Sequence, residues 1–214
     1  MDRLSRRNVL AGGLTCVALA AFGSAPAAAE GAEVLDQIAD LERRLGALVG
    51  VYALDVQIGQ VVAHRENDRF AMCSTFKAYL AARVLQRAER GELSLTDTVT
   101  VHEADLMSNS PVTETFVGRP ITLSELCVAA LHFSDNAASN YLLHGIGGPP
   151  AITEFARSIG DQQTRLDRWE TELNAAVPGD PRDTSTPMAL GNGFRELITG
   201  AVLGSGCVHS WSTG

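Results

Sequence analysis

Cys73-Ser74-Thr75-Phe76-Lys77 opens a run of helical spacing that continues to Arg90 and stops at Gly91. At the start of a helix, positions i and i+3 share a face, which brings the Lys77 amine within reach of the Ser74 hydroxyl. The helix N-terminus adds backbone N–H donors and a positive potential beside any developing oxyanion. Among the 17 basic residues of the chain, Lys77 is the single lysine. Arginine stays protonated in proteins, whereas lysine gives up its proton when its surroundings lower its pKa. Lys77 is therefore a candidate base for a Ser74 nucleophile. Taken alone, S-x-x-K also fits an ordinary serine beside a solvated helix lysine.

Further along, Ser134-Asp135-Asn136 separates two helical segments. Thr122 and Glu125 form a capping-box pattern ahead of Leu126, Val128, Ala129 and Leu131, and Asn136 to His144 continues helical until Gly145. Ser, Asp and Asn are all cap residues, so by itself the tripeptide is a helix-start signal. Beside a Ser-Lys pair it gains a chemical reading. The Ser134 hydroxyl could pass a proton to a leaving nitrogen, and the Asn136 amide could orient a substrate amide.

The other segments read as mixed α and β in one domain, with no internal repeat and no linker. Val34, Leu35, Ile38, Leu41, Leu45 and Leu48 predict an amphipathic helix over 32–48. Val51 to Gln57 and Gln60 to Arg65 predict a hairpin around Gly59. Pro149-Pro150 starts a helix through Ile159, stopped by Gly160, and Pro187 opens a last helix through Leu197 and Ile198. Arg168 to Asp183 has little periodicity and reads as a long surface loop.

Composition narrows the function classes. The chain has 214 residues, 45% of them hydrophobic and 20% charged, with a net charge of -8 and a mean hydropathy of +0.05. That fits a soluble globular domain and excludes a disordered tail or a disulfide-dense mini-protein. The acidic balance disfavours nucleic acid or anionic lipid as a partner. Ser5-Arg6-Arg7-Asn8-Val9-Leu10 is a twin-arginine signature, followed by an uncharged stretch to Phe22 and by Ala27-Ala28-Ala29 before Glu30. Residues 1–29 are thus expected to be a signal peptide for the twin-arginine export machinery. The mature chain would begin at Glu30, work in the periplasm or cell envelope or as a secreted protein, and keep no membrane anchor. After the signal, Cys73, Cys127 and Cys207 form neither a disulfide framework nor a zinc site, though one bridge stays open. There is no G-x-S-x-G, H-E-x-x-H or P-loop, and the five histidines lack ligand spacing.

Together these motifs resemble the class A serine β-lactamases, in which S-x-x-K and S-D-N are two of three signatures. Arg168-Trp169-Glu170-Thr171-Glu172-Leu173-Asn174, running on to Asp180-Pro181-Arg182-Asp183-Thr184, is similar to the family's Ω-loop. Asn109-Ser110-Pro111-Val112-Thr113 looks like its segment at the site entrance. The resemblance extends from about residue 32 to 200. It implies an α/β (α+β) fold of the β-lactamase/transpeptidase type, with an all-helical part and an antiparallel sheet whose C-terminal strands are missing here. It implies hydrolysis of a small-molecule β-lactam by a monomer, without metal or organic cofactor. Ser74 would attack the lactam carbonyl. Lys77, or Glu170 through a water, would take its proton, a choice that is disputed for this family. Ser134 would protonate the ring nitrogen. Glu170 and Asn174 would direct the deacylating water, with Asn136, Asn174 and Asn109 on the substrate side. Arg168 and Asp183 would close the loop, and Glu172 would be structural. Cys73 suggests a bridge found in some family members, whose partner would lie in the missing part.

The resemblance breaks at the end of the chain. The family's third signature, K-T-G, is absent, because no lysine follows Lys77. The strand bearing it also supplies one oxyanion donor, and losing such a donor costs roughly 10²–10³ in rate. Only the first hairpin of the sheet is expected, with an open edge. Similarity fades after Leu203, and the tail 204–214 is expected to be out of frame. A shifted reading resembles the leucine-rich helix ending in Asp-Trp-Met that the family has there. The expected organisation is thus 1–29 signal, 30–203 partial enzyme domain and 204–214 foreign tail. A penicillin-binding transpeptidase shares S-x-x-K, but the Glu170 loop argues for hydrolysis. The reading from another class is an inactive, truncated remnant.

Overall fold

The computed structural model describes residues 27–200 and 202–203. Residues 1–26, with the twin-arginine motif, and the tail 204–214, with Cys207, lie outside the described residues. Helix α1 (Ala27–Leu45) ends three residues earlier than its apolar spacing predicts. Gly46 takes φ +60°, a left-handed turn that stops the helix and leaves Leu48 outside it. Strands β1 (Val51–Leu54) and β2 (Val61–His64) pair antiparallel, Val51 opposite His64 and Leu54 opposite Val61. Both are shorter than predicted. The Asp55 carboxylate accepts the N–H groups of Gln57 (2.8 Å) and Ile58 (3.1 Å), which curls the chain into a turn before the ladder can extend.

After the short strand β3 (Phe70–Ala71), a 3₁₀ turn at Cys73–Thr75 leads into helix α2 (Phe76–Glu89). Phe76, Tyr79, Leu80, Ala81, Ala82 and Val84 are all buried, so α2 is apolar around most of its circumference and forms the axis of the core. Strands β4 (Thr98–Thr100) and β5 (Pro120–Thr122) form a second antiparallel pair. Helix α3 (Leu123–Phe133) begins at the expected capping box. Thr122 Oγ1 accepts from Glu125 N at 3.1 Å, and Glu125 Oε2 accepts from Thr122 N at 2.9 Å.

Helix α4 (Asn136–Ile146) is capped by Asp135, which accepts from Ala138 N at 2.9 Å. It passes through Gly145, the predicted stop, and ends instead at Gly147 with φ +105°. Helix α5 (Pro149–Ser158) starts at the expected proline pair. Strand β6 (Thr184–Ser185) pairs with β3, and helix α6 (Pro187–Thr199) closes the described chain. Helices α3, α4 and α5 pack against α2, while α1 packs on β2 and α6 on β1. Tyr79 sits edge-on to Phe155 of α5 (5.8 Å) and to Phe194 of α6 (5.9 Å), which ties the helices together.

The stretch 168–183 is the expected surface loop, mostly exposed, but it is pinned at a few buried residues. Asp183 is fully buried and takes the N–H groups of Asp167 (2.7 Å) and Arg168 (2.9 Å) on one oxygen, while Arg168 Nε donates to the other. Leu173, inside a 3₁₀ turn at Glu172–Asn174, is fully buried as well. The loop is thus anchored at its neck and at its middle.

Candidate active site

Three parts of the fold converge on one cluster: the start of α2, the turn between α3 and α4, and the 168–183 loop. Ser74 lies exposed in the 3₁₀ turn that precedes α2. One turn on, Lys77 is buried, and its Nζ faces four oxygens. They are Asn136 Oδ1 at 2.7 Å, Ser134 O at 2.8 Å, Ser134 Oγ at 3.1 Å and Glu170 Oε1 at 3.2 Å. Ser134 Oγ in turn donates to Ser74 Oγ at 2.8 Å. The predicted Lys77–Ser74 contact is therefore relayed, because the amine reaches the Ser74 hydroxyl through that of Ser134. Burial pulls the Lys77 pKa below its usual value, and the opposing charges of Glu170 and then Asp135 hold part of it back.

The turn that presents Ser134 is tightly specified. Ser134 adopts a left-handed φ of +53°, which a short polar side chain tolerates. Asp135, fully buried, takes the N–H groups of Val112 and Thr113 and the Thr113 hydroxyl, each at 2.9 Å, besides capping α4. It fastens the entrance segment 109–113 to the helix. Asn136 divides its amide: the oxygen accepts from Lys77, and the nitrogen donates to Ser108 O at 2.8 Å. Asn109, exposed and at φ +58°, donates to Ser134 O at 2.8 Å and accepts from Asn136 N at 2.9 Å through its carbonyl. In the structure it braces the turn as well as flanking the opening.

Glu170 is held at both ends. Its Oε2 accepts from Asn174 Nδ2 at 2.7 Å. Its Oε1 is buried and lies beside Lys77 at 3.2 Å, but outside hydrogen-bonding geometry. Its backbone is clamped by a residue that sequence reasoning missed: Asn140 donates to Glu170 O (2.9 Å) and accepts from Glu170 N (3.0 Å). The available signal was helical spacing, since Asn140 stands one turn beyond Asn136 on α4. Glu172 lies exposed, away from this cluster.

Cys73 and Cys127 are free thiols, one exposed and one buried. Burial, and secondarily the Glu170 charge, pushes the Cys73 thiol above its usual pKa. Among the described residues, no group of three or more His, Cys, Asp or Glu side chains is placed to hold a metal ion. The cluster offers an exposed hydroxyl, a proton relay to a buried amine, and a carboxylate with a partner amide beside it. That is equipment for acyl transfer followed by attack of water.

Comparison with known proteins shows which family the chain resembles. A family model described as a beta-lactamase enzyme family matches residues 33–206. Beta-lactamase SME-1 of Serratia marcescens is 43% identical over 189 residues, covering 88% of this chain and 64% of that protein. Beta-lactamase CTX-M-8 of Citrobacter amalonaticus is 44% identical, with 88% and 65% covered. The chain thus spans a little under two thirds of the length of these relatives. Among solved structures, an ancestral class A beta-lactamase superposes with a TM-score of 0.80 at 50% identity, over 82% of this chain and 68% of that one. A beta lactamase from Xanthomonas campestris gives 0.82 at 42% identity, with 84% and 67% covered.

Proposed function

Because the chain belongs to the class A β-lactamase family, we propose that it opens β-lactam rings through an acyl-enzyme on Ser74 and so confers resistance to these antibiotics. The observation that carries this reading is the relay from Lys77 Nζ through Ser134 Oγ to Ser74 Oγ, with Glu170 3.2 Å from the same amine.

In this mechanism Ser74 attacks the lactam carbonyl and its proton leaves to Glu170 through a water, or along the relay once the Ser134 hydroxyl turns to accept from Ser74 and donate to a neutral Lys77. The lowered pKa of Lys77 supports its use as a proton acceptor. The exposed hydroxyl at the head of α2 supports access by a ligand, with the helix N-terminus favouring the developing oxyanion. Ser134, already hydrogen-bonded to Ser74, returns a proton to the ring nitrogen as the C–N bond breaks. Glu170 and Asn174 then direct water at the ester and free Ser74. Asn109, which is exposed, orients the substrate amide, whereas Asn136, expected beside it, is buried with its amide oxygen on Lys77 and its nitrogen on Ser108 O, and so serves the proton relay. The bond between Glu170 and Asn174 favours hydrolysis over the transpeptidase reading, because transfer of the acyl group to an amine needs no carboxylate–amide pair to hold a water.

The same reading makes 1–29 a cleaved twin-arginine signal, so that the domain over 30–203 acts outside the cytoplasm as a monomer, and 204–214 a tail foreign to the domain. The test is turnover of a chromogenic cephalosporin by the purified chain. Turnover abolished by Ser74→Ala upholds the proposal. A folded chain that neither hydrolyses the substrate nor takes a covalent label from a fluorescent penicillin refutes it.

A further inference from the structure

Three successive turns of α4 hold three parts of the site. Asn136, Asn140 and His144 stand four residues apart, on one helix face. Asn136 accepts from Lys77 at 2.7 Å, and Asn140 clamps the Glu170 backbone at 2.9 and 3.0 Å. His144 stacks on the Trp169 indole, with ring centroids 4.3 Å apart and planes 30° apart. The first two rungs meet the site directly. The third meets the residue that precedes Glu170.

The indole is also crowded by the α4–α5 turn. Gly148, buried at the start of α5 with φ +86°, lies against it, and a methyl group added there would come within 3.3 Å of Trp169 Cζ2. Trp169 therefore touches both a ring from α4 and bare backbone from the α4–α5 turn. Its carbonyl accepts from Leu173 N at 3.0 Å, inside the anchored part of the loop. Glu170 Oε1, by contrast, has no hydrogen bond to hold its direction. Its distance from Lys77 is set by the Asn174 bond to Oε2, by the Asn140 clamp and by where Trp169 holds the adjoining backbone.

We propose that His144 is a positioning residue for Glu170, acting through the Trp169 indole on which it stacks. For its kinetic consequence the inference rests on the hydrolytic reading above. Without the stack, the indole shifts toward the vacated face of α4 and carries Glu170 away from Lys77. Acylation, which uses Ser74 and the relay, stays nearly intact, whereas deacylation slows.

The single lysine makes a test independent of activity possible. Protein grown on lysine labelled with carbon-13 at Cε gives one side-chain signal, that of Lys77, whose midpoint reports on the groups facing it: Glu170 and Asp135. Glu170→Gln sets the size of the response. His144 is exposed, so His144→Gln has little core to lose. It should lower the Lys77 midpoint by about 0.5 pH unit or more, because a carboxylate that had favoured the charged amine has moved off. It should slow deacylation about tenfold, with acylation by a fluorescent penicillin changed less than about threefold. His144→Phe, which keeps a stacking ring, should restore both. An unchanged midpoint in His144→Gln, or His144→Phe behaving like His144→Gln, overturns the proposal. So does a signal that Glu170→Gln leaves unmoved, since Glu170 then does not face Lys77. A parent chain that neither acylates nor hydrolyses refutes the functional reading separately, and the lysine signal still decides the role of His144.

Discussion

Lys77 and Glu170 face each other at 3.2 Å with 3% and 0% of their side chains exposed. A buried pair of this kind adds little net stability, because its attraction is spent against the desolvation of two charges. Its value lies in placing a proton acceptor and a carboxylate side by side beneath an exposed serine.

Removing one partner should therefore harm the fold more than the pair helps it. Lys77→Met leaves Glu170 buried without a counter-charge and should cost about 3–5 kcal/mol, read from urea unfolding. The double variant Lys77→Met/Glu170→Gln should recover much of that loss. The pH dependence has a definite sign. Burial lowers the Lys77 pKa from 10.5, so over the interval just below 10.5 this amine is more protonated in the unfolded chain than in the native one. Lys77 thus adds stability as pH rises through that interval, while the raised-pKa thiols of Cys73 and Cys127 and the raised-pKa phenols of Tyr79 and Tyr141 act the other way, so Lys77→Met should show the less favourable alkaline slope of the two proteins. An identical alkaline slope in the two proteins would show that Lys77 is not buried as described.

Under the proposed mechanism Glu170→Gln and Ser74→Ala fail at different steps. Glu170→Gln should still take a covalent label but release it about 10²–10⁴ times more slowly, as expected for loss of a general base. Ser74→Ala should take no label. Because Ser74 is exposed, its stability should stay within about 0.5 kcal/mol of the parent. Intact-mass spectrometry after mixing with a penicillin separates the two outcomes.

Glu42 joins α1 to the hairpin. Its Oε1 accepts from Arg65 Nε and from Val49 N, both at 2.7 Å, and its Oε2 accepts from Arg65 Nη2 at 3.2 Å. His64 Nε2 lies 3.2 Å away but off the hydrogen-bonding direction. The Arg65 bond, and next the Val49 N–H, hold the carboxyl at about 2 instead of 4.5. The stabilisation is complete above 4.5 and disappears as pH falls through about 2. Glu42→Gln should be less stable than the parent at neutral pH, and the difference should shrink steadily on acidification. Urea midpoints taken down to about pH 2.5 would check this; a constant gap would sink the idea.

Two glycines should respond in opposite directions to alanine. A methyl on Gly193 would fall 1.6 Å from the Tyr79 hydroxyl, which is itself donated to Asp161 at 2.9 Å. Gly193→Ala should cost about 1–3 kcal/mol through forced repacking. Gly145 lies inside α4 with nothing within 4 Å of the added methyl. Gly145→Ala should stabilise by about 0.5–1 kcal/mol, because alanine loses less freedom on entering a helix. Thermal melts of the two variants shifting in the same direction would contradict these surroundings.

Gly145 also shows where reading the chain falls short. Gly145 and Gly147 are equally good stops by residue type, and the choice fell to Gly147 because only there does the backbone turn left-handed, ahead of the proline pair that restarts the chain as α5. The short ladders β3–β6 and β4–β5 were equally hidden. Strands of two or three residues show no alternation, and their partners lie far along the chain. The loop 168–183 read correctly as surface, but its pinning was hidden, because one anchor is a lone Leu173 without periodicity and the other is polar. Asp183 looks like a solvent residue until its backbone donors are in view.

With Glu170 and Asn174 legible only through resemblance to a family, what the sequence determined by itself was the local chemistry: the start of α2 with Ser74 and Lys77 one turn apart, the capping box at Thr122, and the turn at Ser134-Asp135-Asn136. Each depends on neighbours within about four residues, the range over which helix geometry alone sets proximity. Only the tertiary structure decided that the path from Lys77 to Ser74 runs through Ser134, that Asn140 clamps the Glu170 backbone, and that His144 stacks on Trp169. Those contacts join α2, α4 and a distant loop. Their distances follow from how helices pack around a shared core, and no local spacing carries that information.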